Sequence, residues 1–151
     1  MNEERNGTIG VDNVLYRLYQ EATGYAPESM MLLPGAGSGR KYYRMRGVES
    51  LIGVVGTDVS ENRAFVELSR HFRVKGLPVP EVRGVSDDGI YYIQEDLGST
   101  ALFGFIAPGR TQGIWSDEQR DVLRRTIAAL PVLQWEGAGG LDFDRVCFPV
   151  G

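Results

Sequence analysis

Hydrophobic positions recur at helical spacing near the start of the chain. Val11, Val14, Leu15, Leu18 and Ala22 line one face, and Gly24 follows as a stop, which predicts a helix over about 12–23. The first ten residues are polar and predict a frayed lead-in. A short apolar run, 30–33, ends at Pro34 and a glycine-rich stretch. Strands are then expected over 41–46, where Tyr42, Tyr43 and Met45 favour extended structure, and over 50–57, which is apolar and β-branched. A second helix is predicted over 58–75, with Phe65, Leu68 and Phe72 as its apolar stripe, Asp58 or Ser60 as cap, and Gly76 and Pro78 as its end. Strands over about 82–86 and 90–94 flank Asp87-Asp88-Gly89, a tight-turn signal. After Gly98 the pattern changes. A short apolar segment spans 101–106, and a loop is expected over 108–113. A third long helix then starts at Ser116 or Asp117 and runs to about Leu133, with Val122, Leu123, Ile127, Leu130 and Leu133 on its apolar face. Pro131 should kink or end that helix. The tail from Gly137 onward holds Phe143, Val146, Phe148 and Val150 with no later element to cover them.

The order is thus helix, three strands, helix, two strands, connector, helix. Tight turns join most of the strands, which favours an antiparallel sheet. With helices on one face of that sheet, the expected class is α+β.

Composition narrows the function. The chain has 151 residues, 42% hydrophobic and 24% charged, enough for an ordinary core. Its net charge of −4, with acids and bases interleaved, argues against a nucleic-acid partner. The single cysteine, Cys147, leaves no internal disulfide and no multi-cysteine metal site. No signal peptide or membrane span of roughly 18 apolar residues is evident, so the default expectation is a cytoplasmic protein.

The glycine-rich stretch holds the candidate chemistry. Gly35, Gly37 and Gly39 stand between two expected strands, so backbone N–H groups of residues 36–40 could point at an anion without a Cβ in the way. A plain hairpin turn is the competing reading. A P-loop is excluded, because Gly39 is followed by Arg40, Lys41 and Tyr42 and then a strand rather than a helix. The same flanks exclude a dinucleotide-binding fingerprint.

Three segments in order carry a resemblance: LLPGAGSGRKYYRM, ENRAFVELSRHFRVKGLPVPEV and YYIQEDLGSTAL. Together they resemble the strand–glycine loop–strand, the helix with its Gly-x-x-Val-Pro turn, and the fifth strand with its hinge in the protein-kinase-like family, in its aminoglycoside phosphotransferase branch. The likeness is greatest to amino-sugar kinases acting on N-acetylmuramate or N-acetylglucosamine. It implies a kinase-like N-terminal lobe over 1–98, followed over 99–151 by a hinge connector and the first helix of a C-terminal lobe.

The resemblance also implies roles. Gly35, Ala36, Gly37, Ser38, Gly39 and Arg40 would cover the phosphates of ATP bound with Mg2+. Glu95 and Leu97 would offer backbone groups to the adenine edge. Leu33, Val54 and Leu97 would sandwich the purine, although core packing explains them equally. Glu67 would take the place of the helix glutamate that pairs with a third-strand lysine. The third strand has no lysine, so Lys41 or Arg44 is expected to supply the charge. The expected acceptor is a sugar or amino-sugar hydroxyl.

Transfer also needs an aspartate base and metal ligands. No His/Tyr-x-Asp-x-x-x-x-Asn element occurs in the sequence, His71 is expected at the surface, and Asp142-Phe143-Asp144 reads as a connector. No catalytic or metal-ligating residue is therefore assigned. The chain reads as truncated before its catalytic loop, able to bind nucleotide but inactive by itself. Residues 117–150 would then self-associate through uncovered apolar surface. The alternative is a non-catalytic kinase-like module that binds nucleotide or protein.

Overall fold

A computed structural model describes residues 3–35 and 39–146. The elements run α1 (Glu3–Thr23), β1 (Ser29–Leu32), β2 (Lys41–Arg46), β3 (Ser50–Val55), α2 (Val59–Val74), β4 (Val82–Val85), β5 (Tyr91–Glu95), α3 (Leu102–Phe105), α4 (Ala107–Gln112), α5 (Asp117–Ala138) and α6 (Phe143–Val146). The five strands form one sheet in the order β1-β2-β3-β5-β4, with every pairing antiparallel. The expected α+β class and strand set are therefore present.

Both faces of the sheet are covered, not one. The reason lies in the two central strands, which are apolar on alternate residues in both phases. Leu51 and Val55 of β3 and Tyr91 and Ile93 of β5 face α1, and meet Leu15, Leu18, Tyr19 and Met45. Ile52 and Val54 of β3 and Tyr92 of β5 face the other way, and meet Phe65 and Val66 of α2. Gly53 lets α1 approach β3, since a Cβ there would lie 3.0 Å from both Leu15 methyl carbons. Tyr19, fully buried, donates to the Glu49 carbonyl at 2.6 Å and so ties α1 to the β2–β3 turn.

Helix α2 is fixed at its start. Asp58 caps it by accepting from the Glu61 N–H at 2.9 Å. The buried Asn62 amide donates to the Gly56 carbonyl at 2.7 Å and to the Gly89 carbonyl at 2.9 Å, joining α2 to the end of β3 and to the β4–β5 turn. The positions buried along α2 are Asn62, Ala64, Val66 and Ser69, whereas the expected stripe of Phe65, Leu68 and Phe72 is half-buried.

Three helical expectations change. Helix α1 begins at Glu3, not near residue 12. Residues 107–112 are helical instead of a loop, because Pro108 sits in the first turn, where a missing N–H leaves no bond unmade. Helix α5 continues through Pro131 to Ala138. The carbonyl that the Pro131 ring displaces belongs to Ile127, which is 64% exposed, so water can satisfy it. The N-terminus of α5 is a full capping box: Ser116 Oγ accepts from Gln119 N–H and Gln119 Oε1 accepts from Ser116 N–H, each at 3.1 Å.

The far end of α5 docks on α2. Gly137 lies against Phe72, and its carbonyl meets His71 Nε2 at 2.8 Å, while Lys75 Nζ donates to the Glu136 carbonyl at 2.7 Å. His71 is thus a half-buried docking residue, not a free surface one. Asp142 accepts from the Asp144 N–H at the start of α6, a short helix that packs on α2.

Candidate functional site

The sheet face that α2 shares carries Arg40, just before β2, and the segment after β5. On β2, strand alternation puts Tyr42 and Arg44 on this face and Lys41, Tyr43 and Met45 on the α1 face. The pairing register sets Arg44, Ile52 and Gln94 in one row across three strands, with Tyr42, Val54 and Tyr92 in the next. On β1, Met31 stands beside Arg44 and is 55% exposed, so the β1 side of this face is left open by α2.

Two arginines mark the ends of this face. Arg44 is held by a clamp. Its Nε donates to Asp96 Oδ2 at 2.7 Å and its Nη2 to Asp96 Oδ1 at 3.0 Å, with further bonds to the Gly98 carbonyl at 3.0 Å and Ser99 Oγ at 3.1 Å. Ser50 Oγ donates to Asp96 Oδ2 at 2.6 Å, and the Gly98 N–H donates to Asp96 Oδ1 at 2.9 Å. Asp96, 7% exposed, is therefore fully engaged. Burial raises its carboxyl pKa, but the bonds from Ser50, Arg44 and Gly98 together outweigh that and hold it below the ordinary aspartate value. The clamp draws residues 96–99 back across the ends of β3 and β2.

Arg40 lies at the other end of β2, next to Gly39. Its Nη2 is 3.0 Å from Glu61 Oε1, and its guanidinium carbon lies 5.9 Å from the centre of the Phe65 ring, which in turn stacks on Tyr92 at 5.3 Å. Burial pushes the Tyr92 phenol pKa up. The two ends are roughly 13 Å apart along the strand, at ~3.3 Å per residue. The family resemblance implies that residues 35–39 arch over a cleft whose rear wall is residues 95–98. Arg40 and residues 96–98 instead sit toward opposite ends of β2, on a common face.

The remaining expected site residues divide as follows. Ala36, Gly37 and Ser38 lie outside the described residues. Gly35 and Gly39 have no positive φ, and an added Cβ at either would meet nothing within 4 Å, so no contact among the described residues requires glycine there. The Glu95 N–H donates to the Glu81 carbonyl at 2.8 Å, and its carboxylate accepts from the Glu81 N–H at 3.2 Å. Leu97 is 68% exposed, and among the described residues its backbone takes part in no hydrogen bond. Val54 is fully buried core, and Leu33 is partly buried beside it. Glu67 faces α6, 3.7 Å from Arg145, and also borders a hollow of about 240 Å3 between α2 and the β4–β5 turn, away from the β2 face.

The acid of α2 that meets a cation at the start of β2 is thus Glu61, and that cation is Arg40, which precedes the strand. Lys41 is exposed on the opposite face, and Arg44 is occupied by Asp96. Sequence reasoning missed Glu61 and the buried Asp96. Glu61 lies one turn N-terminal to Phe65 on the same side of the helix, a spacing that could have found it. Asp96 had no local signal, since its burial depends on the register of three strands.

No group of three or more histidine, cysteine, aspartate or glutamate side chains gathers to hold a metal among the described residues, and no helix there is long and apolar enough to cross a membrane. No family model matches this chain, and no curated protein or solved structure is significantly similar to it.

Proposed function

We propose that this chain is the nucleotide-binding lobe of a protein-kinase-like phosphotransferase, with the residues after 98 forming a hinge connector and the first helix of a second lobe. The observation that carries this reading is the placement of two segments on one face of the sheet. Arg40, which directly precedes β2, meets Glu61 and Phe65 of α2, and Asp96 after β5 meets Arg44 of β2, so both lie on that face toward the two ends of β2. A nucleoside triphosphate laid along β2 would meet Arg40 at its phosphate end and the free Leu97 backbone at its base end.

The donors present suit the phosphates of ATP. Arg40 retains N–H groups without acceptors, and Gly35 and Gly39 leave the backbone open to close approach. Mg2+ would arrive with the nucleotide and neutralise its phosphate charge; no protein ligand is assigned to it. The acceptor class, a sugar or amino-sugar hydroxyl, follows from the resemblance of the three sequence segments. No residue of this chain is assigned the transfer step, so the reading gives these residues binding and positioning of nucleotide in a cytoplasmic setting. Self-association through residues 117–150 belongs to the same reading.

A non-catalytic binding module is the second reading. It is favoured by β3, whose α2 face offers Ile52 and Val54 where a cation would be expected. Arg40, just before β2 and paired with Glu61, supplies that charge instead, which favours the first. Calorimetric titration with ATP and Mg2+ tests the binding claim. Saturable binding at millimolar concentration or tighter, with competition by adenosine, is expected; no saturable heat would contradict it. Sugar phosphate formed by this chain alone would contradict the binding-only assignment.

A further inference from the structure

The guanidinium of Arg40 lacks a full set of acceptors. Its side chain is 13% exposed, and although Nη2 lies 3.0 Å from Glu61 Oε1, the N–H directions miss the carboxylate. Nε and Nη2 are both buried and have no hydrogen-bond acceptor among the described residues. A buried cation with idle donors is unfavourable until an anion completes it. The two members of the pair differ in freedom. Arg40 rests on the Phe65 ring, whereas the Glu61 side chain is 45% exposed and can turn into water from the first turn of α2. The carboxylate is therefore the member that can leave.

We propose, resting on the nucleotide-lobe reading, that Arg40 is the phosphate-receiving cation of this site and that Glu61 is its displaceable counter-ion. In the free chain the Glu61 carboxylate sits against the guanidinium; an incoming polyphosphate takes its place, and Glu61 moves to solvent. A planar guanidinium presents parallel N–H groups that match two phosphate oxygens, and Nε and Nη2 are such a pair. The location fits, because Arg40 directly follows Gly39, on the face described above, and is covered there by Glu61, the member that can leave. The neighbouring third-strand position, Val54, is apolar and buried, and Lys41 faces away, so the charge falls to Arg40. Under this arrangement Glu61 competes with the ligand rather than holding the cation in place for it.

The test is equilibrium titration of the chain and of Arg40→Gln, Arg40→Lys and Glu61→Gln with three probes: ATP, inorganic tripolyphosphate and adenosine. Arg40→Gln should weaken ATP and tripolyphosphate by about tenfold or more while adenosine is unchanged, and Arg40→Lys should recover part of the loss. Glu61→Gln should strengthen both polyphosphates by about threefold and leave adenosine alone. Unchanged adenosine binding shows that each variant is folded. Equal loss of ATP and adenosine in Arg40→Gln, or weaker polyphosphate binding in Glu61→Gln, overturns the inference. If ATP and adenosine bind but Arg40→Gln has no effect, the Arg40 assignment fails while the nucleotide reading stands. If tripolyphosphate binds through Arg40 and adenosine does not bind, the nucleotide reading fails and the anion site stands. If no probe binds, both fail.

Discussion

Arg40, just before β2, and Arg44, within it, have the same side chain, yet their partners give them different work. Arg44 meets a carboxylate that is itself buried and fully hydrogen-bonded, so the pair is structural. Arg44→Ala should lower unfolding free energy by about 3 kcal/mol, because it leaves Asp96 charged and buried without its partner; urea denaturation checks this. Asp96 also sets a pH limit. Its folded pKa lies below the ordinary value of about 4, so the clamp's contribution is complete above that value and is lost as pH falls through the lower folded one. Stability should be flat through neutral pH and drop in the acid range, and Asp96→Asn should reduce that acid drop. Asp88, lowered chiefly by its bond from Ser86, adds a dependence of the same sign. At this scale the sequence was partly legible. Glycine spacing marked the segment around Arg40, and the Glu-Asp-Leu-Gly run marked the bend after β5. The partners were not legible: Glu67 was the expected acid of α2, but the rotation of the helix turns it to α6, and a local reading could not tell that Asp96 is buried.

The elements owe their positions to a few polar staples as much as to apolar stripes. Asn62 is the clearest, since one side-chain amide holds the carbonyls that close β3 and the β4–β5 turn. Asn62→Ala should destabilise the fold by about 2 kcal/mol, by stranding the Gly56 and Gly89 carbonyls. Faster amide exchange at the start of α2 and in the 86–90 turn would accompany that loss, and exchange unchanged in both places would contradict the stapling role. The strands were legible because alternation and turn signals act locally: Asp88-Gly89 fixes the β4–β5 hairpin, and Gly89 takes the positive φ of 71° that the turn needs. Helix limits were less so. Pro108 and Pro131 read as breakers, but one sits where its N–H is not needed and the other on an exposed helix that water can repair. The cover on both faces of the sheet could be read only by noticing that β3 is apolar in both phases.

At the scale of the molecule, the layers α1, sheet and α2 hold the buried apolar clusters, while α5 lies outside them. Along α5 only Gln119 and Gly137 are buried, whereas Ile127, Leu130 and Trp135 are 64%, 50% and 87% exposed. Such a surface predicts concentration-dependent self-association through 117–150, of which residues 147–150 fall outside the described part. Sedimentation should show a dimer or larger species that Ile127→Glu with Leu130→Glu disperses, and a monomer at high concentration would refute it. The central claim concerns the face of β2 that α2 leaves partly open. Amide chemical-shift mapping with ATP and Mg2+ tests it most directly. The account predicts shifts at Gly39 and Arg40 and again at Leu97 and Gly98, with Tyr43, Met45 and Tyr91 on the α1 face undisturbed. Saturating nucleotide that moves neither end of β2, or shifts confined to α5, would contradict it.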